Sequence, residues 1–374
     1  MASFKIRGFK VIALKPDYRA RLATLRAEME SGGVDGLLVS DIHNIRYLSG
    51  FTGSSAYAVV TLRRAFLLTD PRYAVQSEEE VRKSGFKVRI YKKKPLEALA
   101  VSIKRLKVSR LGFEGDFLSY NGYKRIKSVL KPIPLKPLAN PVGRVRQVKD
   151  TFEVGLIKKA ASILESGFKK AERTLRAGIT EAGAALAVEE WMRKKGAEGL
   201  AFESIVASGP RSSLPHGAAS EKRIKRGDLV IVDMGACCEG YTSDNTRTYC
   251  IGRAKPLQKK IYGVVKGAQK RALELIGDGV RAEEVDRAAR AHIEKAGYGK
   301  FFSHGTGHGL GLDVHERPAI APLSKDILKE GMVVTIEPGI YMPDWGGVRI
   351  EDMALVRKNG CDLVTTSPDE LLCL

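Results

Sequence analysis

The chain has 374 residues, 44% of them hydrophobic, so it is long enough for two domains with ordinary buried cores. No run approaches the roughly 20 apolar residues of a membrane-spanning helix, and Met1–Lys15 lacks the uninterrupted apolar segment of a signal peptide. The five cysteines, odd in number and without zinc-ribbon spacing, predict a reduced, cytoplasmic protein.

The net charge of +20 is concentrated in the first 150 residues. These carry 30 Lys and Arg against 13 Asp and Glu, whereas the remaining 224 residues carry 33 against 30. The densest basic stretch, Arg89–Arg110, offers a contact for nucleic acid or an acidic surface. Its lysines fall among apolar helix positions without interleaved aromatic residues. We therefore interpret it as a solvated face and predict no nucleic-acid partner.

The N-terminal part alternates strand-like and helix-like segments, which predicts an α/β domain. The predicted strands are Gly36–Ser40, Ala56–Leu62, Ala65–Thr69 and Phe86–Tyr91, and the predicted helices are Arg19–Glu30 and Leu96–Leu106. The proline-rich stretch Lys131–Gly143 then predicts a boundary. This gives one domain over residues 1–145 and a second over residues 146–374.

The C-terminal part contains an internal repeat. A helix capped by Asp150, with Glu153 in a capping-box arrangement, precedes a second helix that starts near Thr180. The segment "AGIT…KKG" is echoed 101 residues later by "DGVR…KAG", and "KRGDLVIVDMGA" is echoed by "KEGMVVTIEPGI" at an offset of 104. The similar offsets predict a pseudo-two-fold domain, in which Asp233 and Glu337 occupy equivalent positions.

Four carboxylates converge in this prediction. Asp233 lies near the end of an apolar strand, Asp244 follows eleven residues later as a hairpin return requires, and Glu337 and Glu351 complete the set. Buried acids repel each other unless cations lie between them, and two nearby arginines cannot neutralise four. The set therefore predicts divalent metal ions.

The segment "HGTGHGLGLDVHE", His304–Glu316, holds three of the six histidines. Its four glycines argue against a helix, so a looped or extended backbone points the histidines to different depths of one cavity. One of them is assigned to metal and two to substrate. An oxygen-rich set with one nitrogen favours Mn²⁺ or Co²⁺, and two ions about 3.5–4 Å apart are typical of two-metal hydrolases. We interpret His43 as a loop residue and His292 as a helix-surface residue.

Five segments in order resemble the Xaa-Pro aminopeptidase and prolidase family, pita-bread metallopeptidases related to methionine aminopeptidase and creatinase. They are Ser208–Gly217, Val232–Thr248, His304–Glu316, Thr335–Tyr341 and Gly347–Asp352. A further segment, Asn44–Gln76, resembles the creatinase-like N-terminal domain of Xaa-Pro aminopeptidases. The resemblance implies an α/β (α+β) fold with a pseudo-two-fold pita-bread catalytic domain after a creatinase-like α/β domain. It also implies a homodimer.

The resemblance implies two bound divalent ions, with Mn²⁺ as the expected metal and Co²⁺ or Zn²⁺ as alternatives. Their implied ligands are Asp233, Asp244, His308, Glu337 and Glu351. Asp244 and Glu351 are expected to bridge the ions, Asp233 to hold one ion, and His308 with Glu337 to hold the other.

The resemblance also implies the residues that act on substrate. Glu337 is the expected general base toward a bridging water, and His315 is expected to stabilise the oxyanion or steer a proton. His216 and His304 are expected to line the proline side, and Arg349 matches a further substrate-side residue.

The implied activity is removal of an N-terminal residue that precedes proline, through a metal-bridged hydroxide. Proline makes the scissile bond a tertiary amide without an N–H, which defeats peptidases that bind that group. The alternative is a strict Xaa-Pro dipeptidase, although "GFTGSS" and "LLTDPRY" look more like aminopeptidases. A non-catalytic binding protein and a creatinase-type enzyme without a metal pair are both disfavoured by the complete ligand set.

Overall fold

Two α/β units follow one another along the chain in a computed structural model, which describes residues 15–92 and 94–374. The helices of the N-terminal unit are α1 (Tyr18–Ser31), α2 (Ile42–Ser49), α3 (Ala74–Val81), α4 (Pro95–Arg105), α5 (Tyr120–Leu130) and α6 (Pro141–Arg146). Its strands are β1 (Gly36–Val39), β2 (Ala56–Thr61), β3 (Ala65–Thr69), β4 (Lys87–Ile90), β5 (Leu111–Glu114) and β6 (Leu135–Leu138). They form one mixed sheet in the order β4-β3-β2-β1-β5-β6, in which β2 runs antiparallel to both neighbours.

Every strand and helix predicted for this unit is present, with ends that differ by at most one residue. The agreement follows from local signals, because β1 and β3 are buried along their whole length and therefore appear as continuous apolar runs. Asp17 caps α1 through its side chain, and Gly50 ends α2 in the left-handed conformation that glycine adopts without strain.

One local interpretation was wrong, and one stretch predicted as a boundary has structure of its own. The proline-rich stretch contributes the edge strand β6, where Pro137 pairs with Phe113. An edge strand tolerates proline because one side of its backbone needs no ladder hydrogen bond. His43 is not in a loop, because α2 begins at Ile42 and the Asp41 side chain caps it by accepting a hydrogen bond from the His43 backbone N–H.

The C-terminal unit repeats a helix pair followed by strands. Its helices are α7 (Thr151–Thr174), α8 (Glu181–Lys194), α9 (Pro256–Leu275) and α10 (Ala282–Lys295). The strands of its first half are β7 (Gly199–Leu200), β8 (Ile205–Ser208), β9 (Leu229–Met234), β10 (Ala236–Cys238), β11 (Tyr241–Thr242) and β12 (Asn245–Cys250). Those of its second half are β13 (Gly307–Gly309), β14 (Glu316–Ile320), β15 (Val333–Ile336), β16 (Gly339–Met342), β17 (Gly346–Arg349), β18 (Asp352–Arg357) and β19 (Gly360–Leu363).

The predicted pseudo-two-fold arrangement appears in the strand pairing. In the first half β12 pairs antiparallel with β9, and in the second half β18 pairs antiparallel with β15. The halves meet where the Glu351 N–H donates to the Thr246 carbonyl at 3.1 Å and the Thr248 hydroxyl donates to the Arg349 carbonyl at 2.8 Å. Each half therefore brings the ends of one strand pair to the same central region.

The two units share a hydrophobic core. One cluster contains Leu25 and Ile45 from the N-terminal unit together with Leu312 and Met353 from the C-terminal unit. Burial of apolar surface across this contact holds the units together. Among residues 15–92 and 94–374, no helix combines the length and the apolar character that crossing a membrane requires.

Candidate metal centre

A cavity of about 530 Å³ opens where the halves of the C-terminal unit meet. Each residue that the sequence predicted for the site lines it: His216, Asp233, Asp244, His304, His308, His315, Glu337, Arg349 and Glu351. One part of the wall is apolar and contains Phe202, Ile205, Pro215, Ala218 and Ala321. The cavity therefore combines a charged floor with an apolar wall, as small-ligand sites commonly do.

The equivalent strand ends supply the carboxylates. Asp233 is the penultimate residue of β9 and Asp244 immediately precedes β12, whereas Glu337 immediately follows β15 and Glu351 immediately precedes β18. A side chain placed at the end of a paired strand is held by the ladder behind it. The repeat in the sequence thus becomes two facing pairs of acids.

His308 lies among these acids on β13. Its Nε2 atom is 3.3 Å from Glu337 Oε1 and 3.6 Å from Asp244 Oδ2. Its Nδ1 atom lies 3.0 Å from the Gly309 carbonyl and donates to it, which leaves Nε2 free to bind a cation. Ligand atoms of Asp244, His308 and Glu351 all lie within 4.8 Å of one another, a spacing that fits a metal ion.

Two carboxylate oxygens in the cavity support this fit. Asp233 Oδ1 and Glu351 Oε1 are buried and have no hydrogen-bond partner among the described residues. Their sister oxygens are bound, since Arg349 donates to Asp233 Oδ2 at 2.6 Å and Thr246 donates to Glu351 Oε2 at 2.8 Å. A buried carboxylate oxygen without a partner is costly, and a bound cation removes that cost.

The pKa values of the site are shifted because its acids are buried close to one another. Burial, followed by repulsion from Asp233, raises the pKa of Asp244 well above its usual value, and burial with repulsion from Asp244 does the same to Glu351. Burial disfavours a charged His308, but its hydrogen bond to Glu337 and the charge of Asp244 raise the pKa of His308 to about 9. In return His308 lowers the pKa of the Glu337 carboxyl to about 2 against the effect of burial. Protonation of these groups and binding of a cation are therefore two ways to relieve the same repulsion.

Metal binding should therefore release protons near neutral pH. His308, Asp244 and Glu351 all have raised pKa values in the metal-free protein and must lose protons to become ligands. We expect isothermal titration of metal-free protein with Mn²⁺ at pH 7 to release at least one proton per chain, measured in buffers of different ionisation enthalpy. Affinity should rise with pH up to about 9. Proton uptake, or an affinity independent of pH, would contradict this electrostatic description.

Close packing explains the glycines beside His308. A Cβ atom at Gly307 would lie 1.9 Å from the Thr335 carbonyl oxygen, and one at Gly309 would lie 2.3 Å from the Arg317 carbonyl oxygen. Only glycine permits these approaches. The segment is extended rather than helical, as predicted, and the close packing places the His308 ring at the cavity floor.

Tyr341 joins this site although the sequence reasoning did not select it. Arg349 NH1 donates to Tyr341 Oη at 2.8 Å, and Tyr341 Oη lies 2.8 Å from His304 Nε2. Because His304 Nδ1 donates to the Gly305 carbonyl at 2.7 Å, Nε2 must accept the tyrosine proton. Burial lowers the pKa of His304, which is consistent with a neutral ring. A tyrosine within the strand "GIYM", four residues after Glu337, was the available signal.

Thr246 is the second residue that the sequence did not select. Its hydroxyl donates to Glu351 and accepts from Arg349 Nε at 3.1 Å. It therefore couples a predicted metal ligand to the buried guanidinium. The uninterrupted polar run "SDNTRT" was the signal available in the sequence, and the structure buries all of its residues.

His216 and His315 also line the cavity. His315 packs edge-on against His308, with ring centroids 4.4 Å apart, and burial lowers the pKa of its ring. His216 is exposed to the cavity beside Pro215 and near the apolar wall. A neutral imidazole next to the acids can donate or accept a hydrogen bond at a reacting carbonyl.

Comparison with known proteins agrees with this fold. The model for Metallopeptidase family M24 matches residues 155–358, and that for the Creatinase/Prolidase N-terminal domain matches residues 21–148. These matches confirm the predicted fold class, a creatinase-like α/β domain before a pita-bread domain. The exact boundary between residues 145 and 146 stays a prediction.

Individual relatives extend along nearly the whole chain. An Xaa-Pro dipeptidase of Pyrococcus furiosus is 39% identical over 355 residues, which are 95% of this chain and 100% of the relative. The solved Xaa-Pro dipeptidase from Bacillus anthracis has a TM-score of 0.93 at 38% identity and covers 96% of this chain and 100% of its own. The solved X-Pro aminopeptidase from Thermotoga maritima has a TM-score of 0.85 at 38% identity and covers 93% of this chain and 100% of its own. The chain therefore belongs to metallopeptidase family M24 and is a metal-dependent peptidase.

Proposed function

We propose that this protein is an Xaa-Pro aminopeptidase that removes an N-terminal residue from peptides with proline at the second position. We further propose that Asp233, Asp244, His308, Glu337 and Glu351 hold two divalent ions, with Mn²⁺ as the expected metal. Bound there, the ions would polarise the scissile carbonyl and lower the pKa of a water molecule.

The observation that favours an aminopeptidase over a dipeptidase concerns the basic side chains that line the cavity. Arg349 is the single Lys or Arg among the described residues that line the cavity. Its three nitrogens already donate, to Thr246, to Pro215 and Tyr341, and to Asp233. A dipeptide brings a carboxylate directly after proline, and a buried carboxylate needs a partner cation. An uncharged peptide bond at that position needs none.

The side chains that line the cavity have different roles at the scissile bond. Glu337 lines the cavity next to His308, where its carboxylate can accept a proton from water, as a general base must. His315 faces the same cavity with a neutral ring that can hydrogen-bond the carbonyl oxygen as it gains charge. The apolar wall with His216 and His304 gives the proline ring a surface that excludes water.

A strict Xaa-Pro dipeptidase is the second candidate. It is favoured by the relatives from Pyrococcus furiosus and Bacillus anthracis, both of which are described as Xaa-Pro dipeptidases. The relative from Thermotoga maritima, described as an X-Pro aminopeptidase, supports the first candidate at the same 38% identity as the Bacillus anthracis structure. Family membership therefore leaves the two activities open, and the charge of the cavity supports our choice of the aminopeptidase.

Cleavage of a matched peptide set tests the proposal. The set is Ala-Pro, Ala-Pro-amide, Ala-Pro-Ala and Ala-Pro-Ala-Ala, assayed with Mn²⁺ by chromatography of released alanine. We expect the amide and the longer peptides to have kcat/KM at least equal to that of Ala-Pro, because they carry no carboxylate beside the proline ring. Ala-Ala-Ala is the control for proline selectivity. Cleavage of Ala-Pro alone would assign the protein as a dipeptidase.

The homodimer and the cytoplasmic location stay predictions from the sequence. Light scattering after size exclusion measures the mass of the particle directly, against a chain mass of 40.9 kDa. The peptide substrate follows from the proposed activity. The predicted absence of a nucleic-acid partner also stays a prediction.

A further inference from the structure

His315 is the proposed oxyanion residue, yet its own side chain is weakly held. It lies in the irregular segment between β13 and β14. Among the described residues its ring makes an edge-on contact with His308, and no hydrogen bond of the ring is present. The direction of this ring therefore depends on how the backbone on either side is fixed.

The residues that flank His315 are bound by the N-terminal unit and the segment that leads into α7. Arg146, at the end of α6, donates through NH2 to Asp313 Oδ2 at 2.7 Å and also to Glu316 Oε1. Lys149 Nζ donates to Glu316 Oε2 at 3.1 Å. His43, on α2, contacts the other oxygen of Asp313 through Nδ1. The carboxylates of Asp313, two residues before His315, and of Glu316, one residue after it, are therefore both fixed.

Arg146 is itself held by a chain of hydrogen bonds within the N-terminal unit. Its NH1 group donates to Asn44 Oδ1 at 2.7 Å, and the Asn44 amide donates to Glu114 Oε1 at 2.6 Å. The second oxygen of Glu114 accepts the backbone N–H groups of Ser40 and Asp41 at 2.7 and 2.9 Å. The chain therefore runs from the ends of the N-terminal sheet strands to the loop that carries His315.

The centre of this network is buried, whereas His43 and Asp313 at its edge are partly exposed, so the central charges depend on one another. The side chain of Arg146 is 5% exposed, that of Lys149 1% and that of Glu316 7%. Burial would raise the pKa of Asp313, but His43 and Arg146 lower it to about 2. Removing one member of a buried charge network leaves its partners uncompensated. The loop would then relax toward solvent and carry His315 with it.

We propose that Arg146, assisted by His43, is a positioning residue that fixes the catalytic loop so that His315 faces the metal centre. The N-terminal domain thereby takes part in catalysis within its own chain. This inference rests on the function proposed for His315.

Three variants test the proposal through kinetics. Arg146→Gln should lower kcat about 10–100-fold, with KM and metal content unchanged, as loss of a residue that orients an active-site group does. His43→Ala should lower kcat about 2- to 10-fold, and its side chain is 45% exposed, so the variant should fold. Arg144→Gln is the matched control, because Arg144 is on the same helix but donates to Glu28 within the N-terminal unit. It should keep the wild-type kcat.

The same substitutions in a His315→Ala background separate positioning from general damage. If Arg146 acts through His315, Arg146→Gln should cost little further activity there, because the two effects are not additive. A full additional loss in that background, or wild-type kcat in both folded single variants, would overturn the proposal. If Arg146→Gln does not fold, the same comparison can be made with His43→Ala, alone and combined with His315→Ala.

An NMR measurement that needs no substrate tests this inference independently of the proposed activity. The histidine ring signals can be recorded by NMR on protein with labelled histidine, with the His315 signal assigned by its loss in His315→Ala. Arg146→Gln should shift or broaden the His315 signal and leave that of His292 unchanged, whereas Arg144→Gln should alter neither. An unchanged His315 signal in folded Arg146→Gln would refute the positioning role, whichever peptides the enzyme cleaves.

Discussion

Replacing Asp244 with alanine is expected to abolish peptidase activity and remove bound metal. Asp244 is buried at the centre of the site, within 3.6 Å of His308 Nε2, and its ligand atom lies within 4.8 Å of those of His308 and Glu351. In the proposed arrangement Asp244 would help to hold both ions, so its loss would affect both. We expect the rate to fall by more than the roughly 10²–10³-fold that loss of a single transition-state donor costs.

Metal stoichiometry by mass spectrometry and turnover of Ala-Pro-Ala measure this result together. Asp362→Ala is the control, because Asp362 is 54% exposed, pairs with Arg357 on the surface and should contribute little. It should retain metal and activity. Two bound ions per chain and wild-type turnover in Asp244→Ala would end the dinuclear assignment.

The second prediction with a large effect is that the three histidines of the segment His304–Glu316 have different roles. His315→Ala should keep both ions and lose kcat by about 10²–10³-fold, because it removes a hydrogen bond made to the developing oxyanion. His308→Ala should lose one metal site and recover partly in excess metal, since the Nε2 atom of His308 faces Glu337 and Asp244. His304→Ala should raise KM more than it lowers metal content, because its ring binds Tyr341 rather than the acids.

These three variants must be compared in one buffer, with metal content and steady-state kinetics measured on the same preparations. His292→Ala is the matched control, as this histidine lies on α10 and does not line the cavity. If His315→Ala loses metal while His308→Ala keeps it, the ligand assignment is wrong. The role proposed for His315 and the positioning role of Arg146 would then both have to be abandoned.

Most of the local structure followed from the sequence, as did the residues proposed for the site apart from Tyr341 and Thr246. Strands such as β1 and β3 are buried on both faces, so their continuous apolar runs defined them to within one residue. Asp233 and Glu337 were recognisable because each is a charge at the end of an apolar run and the two runs repeat. Buried acids without local partners indicate metal by simple electrostatics, and the residues concerned do line one cavity. Their individual roles stay predictions.

What only the tertiary structure decided is which distant groups contact each other. Pro137 occurs in an edge strand because β5 lies beside it, and no local pattern contains that information. His43 and Asp313 are 270 residues apart in sequence, and Arg146 reaches Asp313 across 167. Tyr341 belongs to the site because Arg349 and His304 lie on either side of its hydroxyl. Periodicity and capping report on neighbours along the chain, whereas hydrogen bonds between distant side chains depend on how the two units pack.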